Sequence, residues 1–243
     1  MPHHAALHAR AIAAIPDTPV TVETRALALD PATYVHAIGA GWLLIDRSGD
    51  LACVFGDADP IAVAAILDVA GFDGDLLLPA TAKDVPPTLS AEWSAERARI
   101  FTQGVEEFEL SSSARRTIGR ITVRRLAARD ELSHLPSDLR REIDNARATC
   151  DVYAAWKDGV PASFAYVSLE TERHGDLSID TLEAFRRRGL AFAALRPVIA
   201  DLITRGKRPV WGAVESNSGS LALARVLGIV QRAGTLWVAR RAS

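Results

Sequence analysis

Six consecutive residues, Arg186-Arg187-Arg188-Gly189-Leu190-Ala191, carry the clearest chemistry in this chain. Three arginines and a glycine stand directly before a segment with helical apolar spacing. Glycine lets backbone approach a ligand closely. The first turn of the helix after it leaves N–H groups without intrahelical partners, and the helix dipole adds to their positive potential. An anion is the natural ligand of such a turn, a pyrophosphate above all, with arginine charge at its rim. The same residues would also serve as a solvated, charged turn, and the pattern is short enough to recur by chance, so its neighbours must decide.

Those neighbours form an ordered series of elements. Asp176 to Thr181 alternates as a strand, and Leu182-Glu183-Ala184-Phe185 connects it to the arginines. Gly189 to about Thr204 is a helix, with Leu190, Ala194, Leu195, Val198, Ile199, Leu202 and Ile203 on one face and Gly206 as its stop. Pro197 inside it predicts a kink or a loosened turn. Val210 to Val214 is a further strand, Ser218 to Leu227 a second helix stopped by Gly228, and Ile229 to Ala239 a final strand pair turning at Ala233-Gly234. Upstream, Ile121 to Leu126 reads as a strand. Asp130 to Ala148 is helix-rich, interrupted near Pro136, with Asp138 as a cap. Val152 to Lys157 and Pro161 to Leu169 form a hairpin around Asp158-Gly159.

The first half is a mixed pattern that ends at a polar stretch, Ser111 to Arg116, which divides the chain into domains 1–113 and 114–243. Gly41 to Asp46 and Leu51 to Phe55 read as a hairpin. Asp59 caps a helix with Pro60 in its first position that runs to about Ala70. Asp75 to Pro79 is a buried strand, Pro86-Pro87 a break, Glu92 to Arg97 a short helix, and Ala98 to Leu110 a strand pair or one long strand. The N-terminal segment, with His3, His4 and His8, reads as mobile and solvated rather than as a metal site.

In combination, the second-half features resemble the GNAT superfamily of N-acetyltransferases over about Ile121 to Arg241. Arg186, Gly189 and Ala191 match that family's [QR]-x-x-G-x-[GA] signature. Asp176 to Thr181 and Val210 to Val214 stand where it has its fourth and fifth strands. Asn217-Ser-Gly-Ser220, with Leu221 to Gly228, matches its Asn…Ser/Ala…Leu-Gly-Phe block. The resemblance implies an α/β (α+β) acyl-CoA N-acyltransferase fold with a mixed, splayed central sheet, beside a smaller N-terminal α/β domain. It implies acetyl-CoA as acyl donor, with backbone near Ile179 and Thr181 pairing with pantetheine. Backbone N–H groups of Arg187, Arg188, Gly189, Leu190 and Ala191 would bind pyrophosphate, with Arg186 at the rim. Asn217 and Ser220 would lie beside the pantetheine arm. An amine then attacks the thioester directly, and the protein supplies position, a polarised carbonyl and a proton route.

Two positions depart from the family. The tyrosine many members carry seven residues after the Asn is Ala224, and the Phe after Leu-Gly is Ile229. Water or another group would then protonate the thiolate. For the amine proton the candidates are Glu215, at the end of the fifth strand, and Asp176, near where some members place a basic Glu, with His174 adjacent. Glu215 and Asp176 read first as surface charges at strand ends, and His174 as a loop histidine. The first half carries no motif with readable chemistry. It is either a divergent domain that shapes the acceptor site, as in two-part acyltransferases, or a structural or dimerising one.

Composition narrows the rest. Half the residues are hydrophobic and the net charge is −2, which favours a small-molecule amine over nucleic acid or histone-like substrates. Two isolated cysteines, no convincing membrane span and no signal peptide fit a cytoplasmic protein, monomeric or homodimeric. The loss of tyrosine leaves open a second class of protein: an acyl-CoA sensor without turnover.

Overall fold

A computed structural model of the chain describes residues 2–81, 93–103 and 121–241. The elements in order are α1 (Pro2–Ala14), α2 (Val22–Leu29), β1 (Tyr34–Ile38), β2 (Ala40–Ile45), β3 (Leu51–Asp57), α3 (Pro60–Val69), β4 (Asp75–Pro79) and β5 (Trp93–Thr102). They continue with β6 (Thr122–Arg125), α4 (Ser137–Thr149), β7 (Tyr153–Lys157), β8 (Val160–Glu170), β9 (His174–Thr181), α5 (Leu190–Thr204), β10 (Arg208–Val214), α6 (Ser218–Leu227) and β11 (Gln231–Arg241). The expected α/β fold with a mixed sheet is present. The chain clusters into two units, one of Met1–Phe101, Gly212–Ser218 and Arg232–Ser243, the other of Thr102–Trp211 and Gly219–Gln231.

In the second unit the strand order is β10-β9-β8-β7-β6. The hairpin β7–β8 closes through Asp158 (φ 51°) and Gly159 (φ 83°), the left-handed pair that a two-residue turn of this twist requires. β8 runs antiparallel to β9, and helix α5 carries the chain back so that β10 lies parallel to β9 from Arg208↔His174 to Val210↔Asp176. Alternation sorts the side chains by face. Phe164 and Tyr166 of β8 pack with Ile143 and Ala146 of α4. On the other face, Gly175 of β9 sits against α5: a Cβ there would lie 2.5 Å from Leu202 Cδ2 and 3.1 Å from Val167 Cγ1. Leu195, Ile199 and Leu202 of α5 are fully buried.

The first unit repeats this order of elements. β1-β2-β3 is an antiparallel meander, α3 crosses over, and β4 lies parallel to β3 from Leu51↔Asp75 to Cys53↔Leu77. Leu43 and Ile45 of β2 pack with Val63 and Leu67 of α3, and the alternate residues Trp42 and Leu44 pack with Ala11 of α1, Ile15 just after it and Leu27 of α2. β11 then pairs antiparallel with β4.

Several expectations are corrected. Trp93–Arg97, read as part of a helix, opens β5, and the charges of this strand are matched there: Arg99 Nε donates to Glu215 Oε1 at 2.9 Å, and Ser216 N donates to Glu96 Oε1 at 2.7 Å. Ala233-Gly234, read as a turn, lies inside the single strand β11. Its glycine is there for close packing, since a Cβ would meet Val20 Cγ2 at 2.6 Å. Residues 130–136 are not helical, and Asp138 lies in the first turn of α4 rather than capping it. The N-terminal segment is helix α1, with His8 buried and its ring nitrogens 2.9 Å from Ala28 O and 3.1 Å from Thr33 O. The Pro86-Pro87 break and the Ser111–Arg116 boundary lie outside the described residues.

The contact at Gly175 sets the spacing of β9 against α5. Gly175→Val should lower unfolding stability by about 1–3 kcal/mol through overpacking, measured as a shift of the urea midpoint at unchanged slope.

Candidate functional site

The turn between β9 and α5 is built for an anion. A short 3-10 turn, Glu183–Phe185, follows the strand, and Leu182 N donates to Ala162 O at 2.9 Å to anchor its start. Arg187 (φ 63°) and Gly189 (φ 80°) then both adopt left-handed backbone. A non-glycine residue held there costs about 1–2 kcal/mol, and such strain gathers at ligand sites. Gly189, left-handed directly before the right-handed start of α5, turns successive N–H groups to one side, which makes a concavity for anions. Gly189 is the N-cap of α5, and no side chain caps this helix. The first-turn N–H groups of Leu190, Ala191 and Phe192 therefore lack intrahelical acceptors. Nothing lies within 4 Å of a Cβ built on Gly189, so the mouth of the turn is open.

The arginines take separate places. Arg186 Nε donates to Thr181 O at 3.3 Å, and the Arg188 guanidinium lies 5.6 Å from the Phe185 ring centroid. All three arginine side chains are exposed. Thr181 Oγ1 and Ser163 Oγ are 2.7 Å apart across β8 and β9. Arg186 and Thr181 are thus in contact where β9 passes into the turn before α5. Ser220, on α6, accepts from Trp211 Nε1 at 3.0 Å. Trp211 itself is core, with 2% of its surface exposed. Ala224, at the family's tyrosine position, is also buried.

Glu215 and Asn217 belong to the first unit. The Glu215 carboxylate is tied to Arg99, and Asn217 N donates to Val214 O at 3.0 Å. Asp176 differs from Glu215. It is half-buried at the last β9–β10 pair, and Ser168 Oγ donates to its Oδ2 at 2.7 Å. Burial pushes the Asp176 carboxyl up to about 6, against hydrogen bonds from Ser168 and Leu177 N that favour its charge. His174 is buried beside it.

Three further groups were not singled out from the sequence. Asp180 shares the Asp176 face of β9. Burial, followed by the charge of Glu142, pushes it to about 6, while Arg186 acts in the opposite sense. Tyr166 Oη donates to Glu142 Oε1 at 2.7 Å, and burial followed by that bond pushes the phenol well up. Asp180 was legible: with period two, Asp176, Ser178 and Asp180 must share a face. The Glu142–Tyr166 bond spans α4 and β8 and had no local signal.

A three-strand meander, a crossover helix with a bare N-terminus and a parallel return strand define an acyltransferase fold of the GNAT type. Residues 153–233 match the family model described as GNAT acetyltransferase, and most of them lie within the unit that has this fold. The chain is similar over its whole length to a GCN5-related N-acetyltransferase-like protein from Streptococcus suis (TM-score 0.69, 17% identity, 100% of each chain). A GNAT-family acetyltransferase from Novosphingobium aromaticivorans aligns with 93% of this chain and 100% of its own (TM-score 0.58, 18% identity). A tandem GNAT protein from the clavulanic acid biosynthesis pathway aligns over 91% of this chain and 87% of its own (TM-score 0.54, 12% identity). No curated protein matches in sequence. Family model and fold together support acyl transfer as the general activity. Among the described residues, no helix is long and apolar enough to cross a membrane, and no His, Cys, Asp and Glu group is arranged to hold a metal.

The raised Asp176 carboxyl has a consequence for stability. Its folded pKa, about 6, lies above the unfolded value of 3.8. The native state holds a proton that the unfolded chain has shed, so stability falls as pH rises from about 4 through 6. Asp176→Asn should therefore match wild type at pH 4 and exceed it by on the order of 1–3 kcal/mol at pH 8, measured by urea denaturation at both values.

Proposed function

We propose that the protein is an N-acetyltransferase that moves an acetyl group from acetyl-CoA to a primary amine of a small molecule by direct attack. The observation that carries this reading is the strained, uncapped turn Arg186–Ala191 inside a segment that matches the family model. Its N–H groups suit the donor's pyrophosphate, and the arginines suit the remaining negative charge. Backbone at Ile179 and Thr181 is assigned to pairing with the pantetheine arm along β9, and Ser220 of the same unit to that arm. The donor fits the residues present, since open space at Gly189 leaves room for close approach.

Of the two candidate proton acceptors, Asp176 suits the task better. Glu215 is already paired with a guanidinium, whereas Asp176 is desolvated and near neutral in pKa, as a general base should be. It takes one proton from the attacking amine. The thiolate is protonated by water, because Ala224 offers no hydroxyl. The same Ala224 supports a second reading, an acyl-CoA sensor, which amine-dependent release of free thiol would exclude.

The first unit is a divergent copy of the same core, with β3-α3-β4 in the place of β9-α5-β10. Its helix entry is closed: Asp59 caps α3 by accepting from Ile61 N at 3.0 Å, and Pro60 removes a donor. A carboxylate where the anion would sit leaves one donor site per chain.

Calorimetry with acetyl-CoA should give one site per chain. Gly189→Glu should weaken binding at least tenfold, and Gly189→Ala, which adds only backbone strain, should weaken it less. Two sites per chain, or unchanged affinity in Gly189→Glu, would overturn the assignment.

A further inference from the structure

A half-buried base must release its proton after each turnover, and one irregularity in β8 bears on how. The β8–β9 register shifts between Val167 and Leu169: Val167 faces Leu177, Leu169 faces Asp176, and Ser168 has no cross-strand partner. A bulge of this kind re-aims the side chain it carries. Here it aims a hydroxyl at the candidate base. Ser168 Oγ donates to Asp176 Oδ2 at 2.7 Å and lies 3.4 Å from Asp176 O. Ser168 is also exposed, and it lines a groove of about 460 Å³ with Thr149, Tyr153, Glu170, Asp201 and Arg205. One hydroxyl therefore touches the desolvated carboxyl on one side and solvent on the other.

We propose that Ser168 is the proton relay of Asp176, passing the amine's proton from the half-buried carboxyl to water in this groove. The inference rests on the acyl-transfer reading above. The amine N–H bond breaks as an O–H bond forms on Asp176. The carboxyl then donates that proton to Ser168 Oγ while the serine's own proton passes to a groove water, and rotation of the hydroxyl restores the starting arrangement. No charge is left on the serine.

The other charged groups of the groove do not compete. Burial pushes Glu170 up, but Arg205 at 2.6 Å and Lys207 at 2.5 Å outweigh it and hold Glu170 below the usual carboxylate range. Asp201 pairs with Arg205 at 2.9 Å, and Asp151 with Arg125 at 2.5 Å. On β9 itself, His174 is the nearest titratable group of the same face, and its backbone N donates to Thr171 Oγ1 at 3.0 Å.

The test compares wild type, Ser168→Ala and Ser168→Thr by pH–rate profiles for amine acetylation, with Asp176 carboxyl titration followed by ¹³C NMR. Losing the serine donor removes a hydrogen bond to the charged carboxylate, so its midpoint rises. Ser168→Ala should move the acidic limb of kcat/KM and the NMR midpoint up by about one pH unit and lower kcat about tenfold with KM for the amine unchanged. Ser168→Thr should restore all three. An alanine variant with the wild-type profile, or a threonine variant as impaired as alanine, would overturn the relay. A folded wild type inert toward every amine would overturn the acyl-transfer reading itself, and the relay with it.

Discussion

The structure of the second unit turns on a handful of backbone N–H groups that the fold leaves without partners. A helix start ordinarily finds an acceptor in a Ser, Thr, Asp or Asn side chain. At α5 the N-cap is glycine, left-handed, with no side chain to offer. The cost of that arrangement is carried by the rest of the unit. Seven residues of α5 are buried, and Gly175 lets β9 approach Leu202 closely. The bare turn persists because its helix is held by packing rather than by its cap. The contrast within the chain is direct: α3 stands in the same topological place and starts from Asp59, whose side chain caps its N-terminus.

The β9 strand serves both chemistries of the proposed reaction. Its edge toward the turn presents backbone. Its α4-side face presents Asp176, Ser178 and Asp180 in succession. Two carboxyls on one strand face, both shifted toward neutral pH by desolvation, oppose folding above about pH 6. Retaining such groups at a cost in stability is common where reactivity is needed. The bulge at Ser168 belongs to the same strand pair, so the proposed donor contact, base and relay are all registered by β8 and β9.

Much of this was legible in the sequence where local and global preferences agree. Asp158-Gly159 allows one kind of turn, and the structure has it. The apolar face of α5 and the Gly206 stop are written in side-chain spacing, and Asp59-Pro60 announces the start of α3. Legibility failed where tertiary pairing overrode propensity. Glu, Ala and Arg in Trp93–Arg97 favour helix in isolation, yet Glu96 and Arg99 find partners only as part of a strand. Gly234 looked like a turn residue because its reason for being glycine, Val20, lies far away in sequence. The bulge at Ser168 had no signal at all, since register belongs to a strand pair and not to either strand.

The central claim is that the bare N-terminus of α5, and no other helix start among the described residues, receives the donor. Amide ¹H–¹⁵N shifts recorded during titration with CoA test it directly. The account predicts the largest, saturable changes at Arg187 to Ala191, smaller ones at Ile179 and Thr181, and none at Ile61. Changes centred on Ile61, or none at Arg187 to Ala191 while CoA binds, would contradict it.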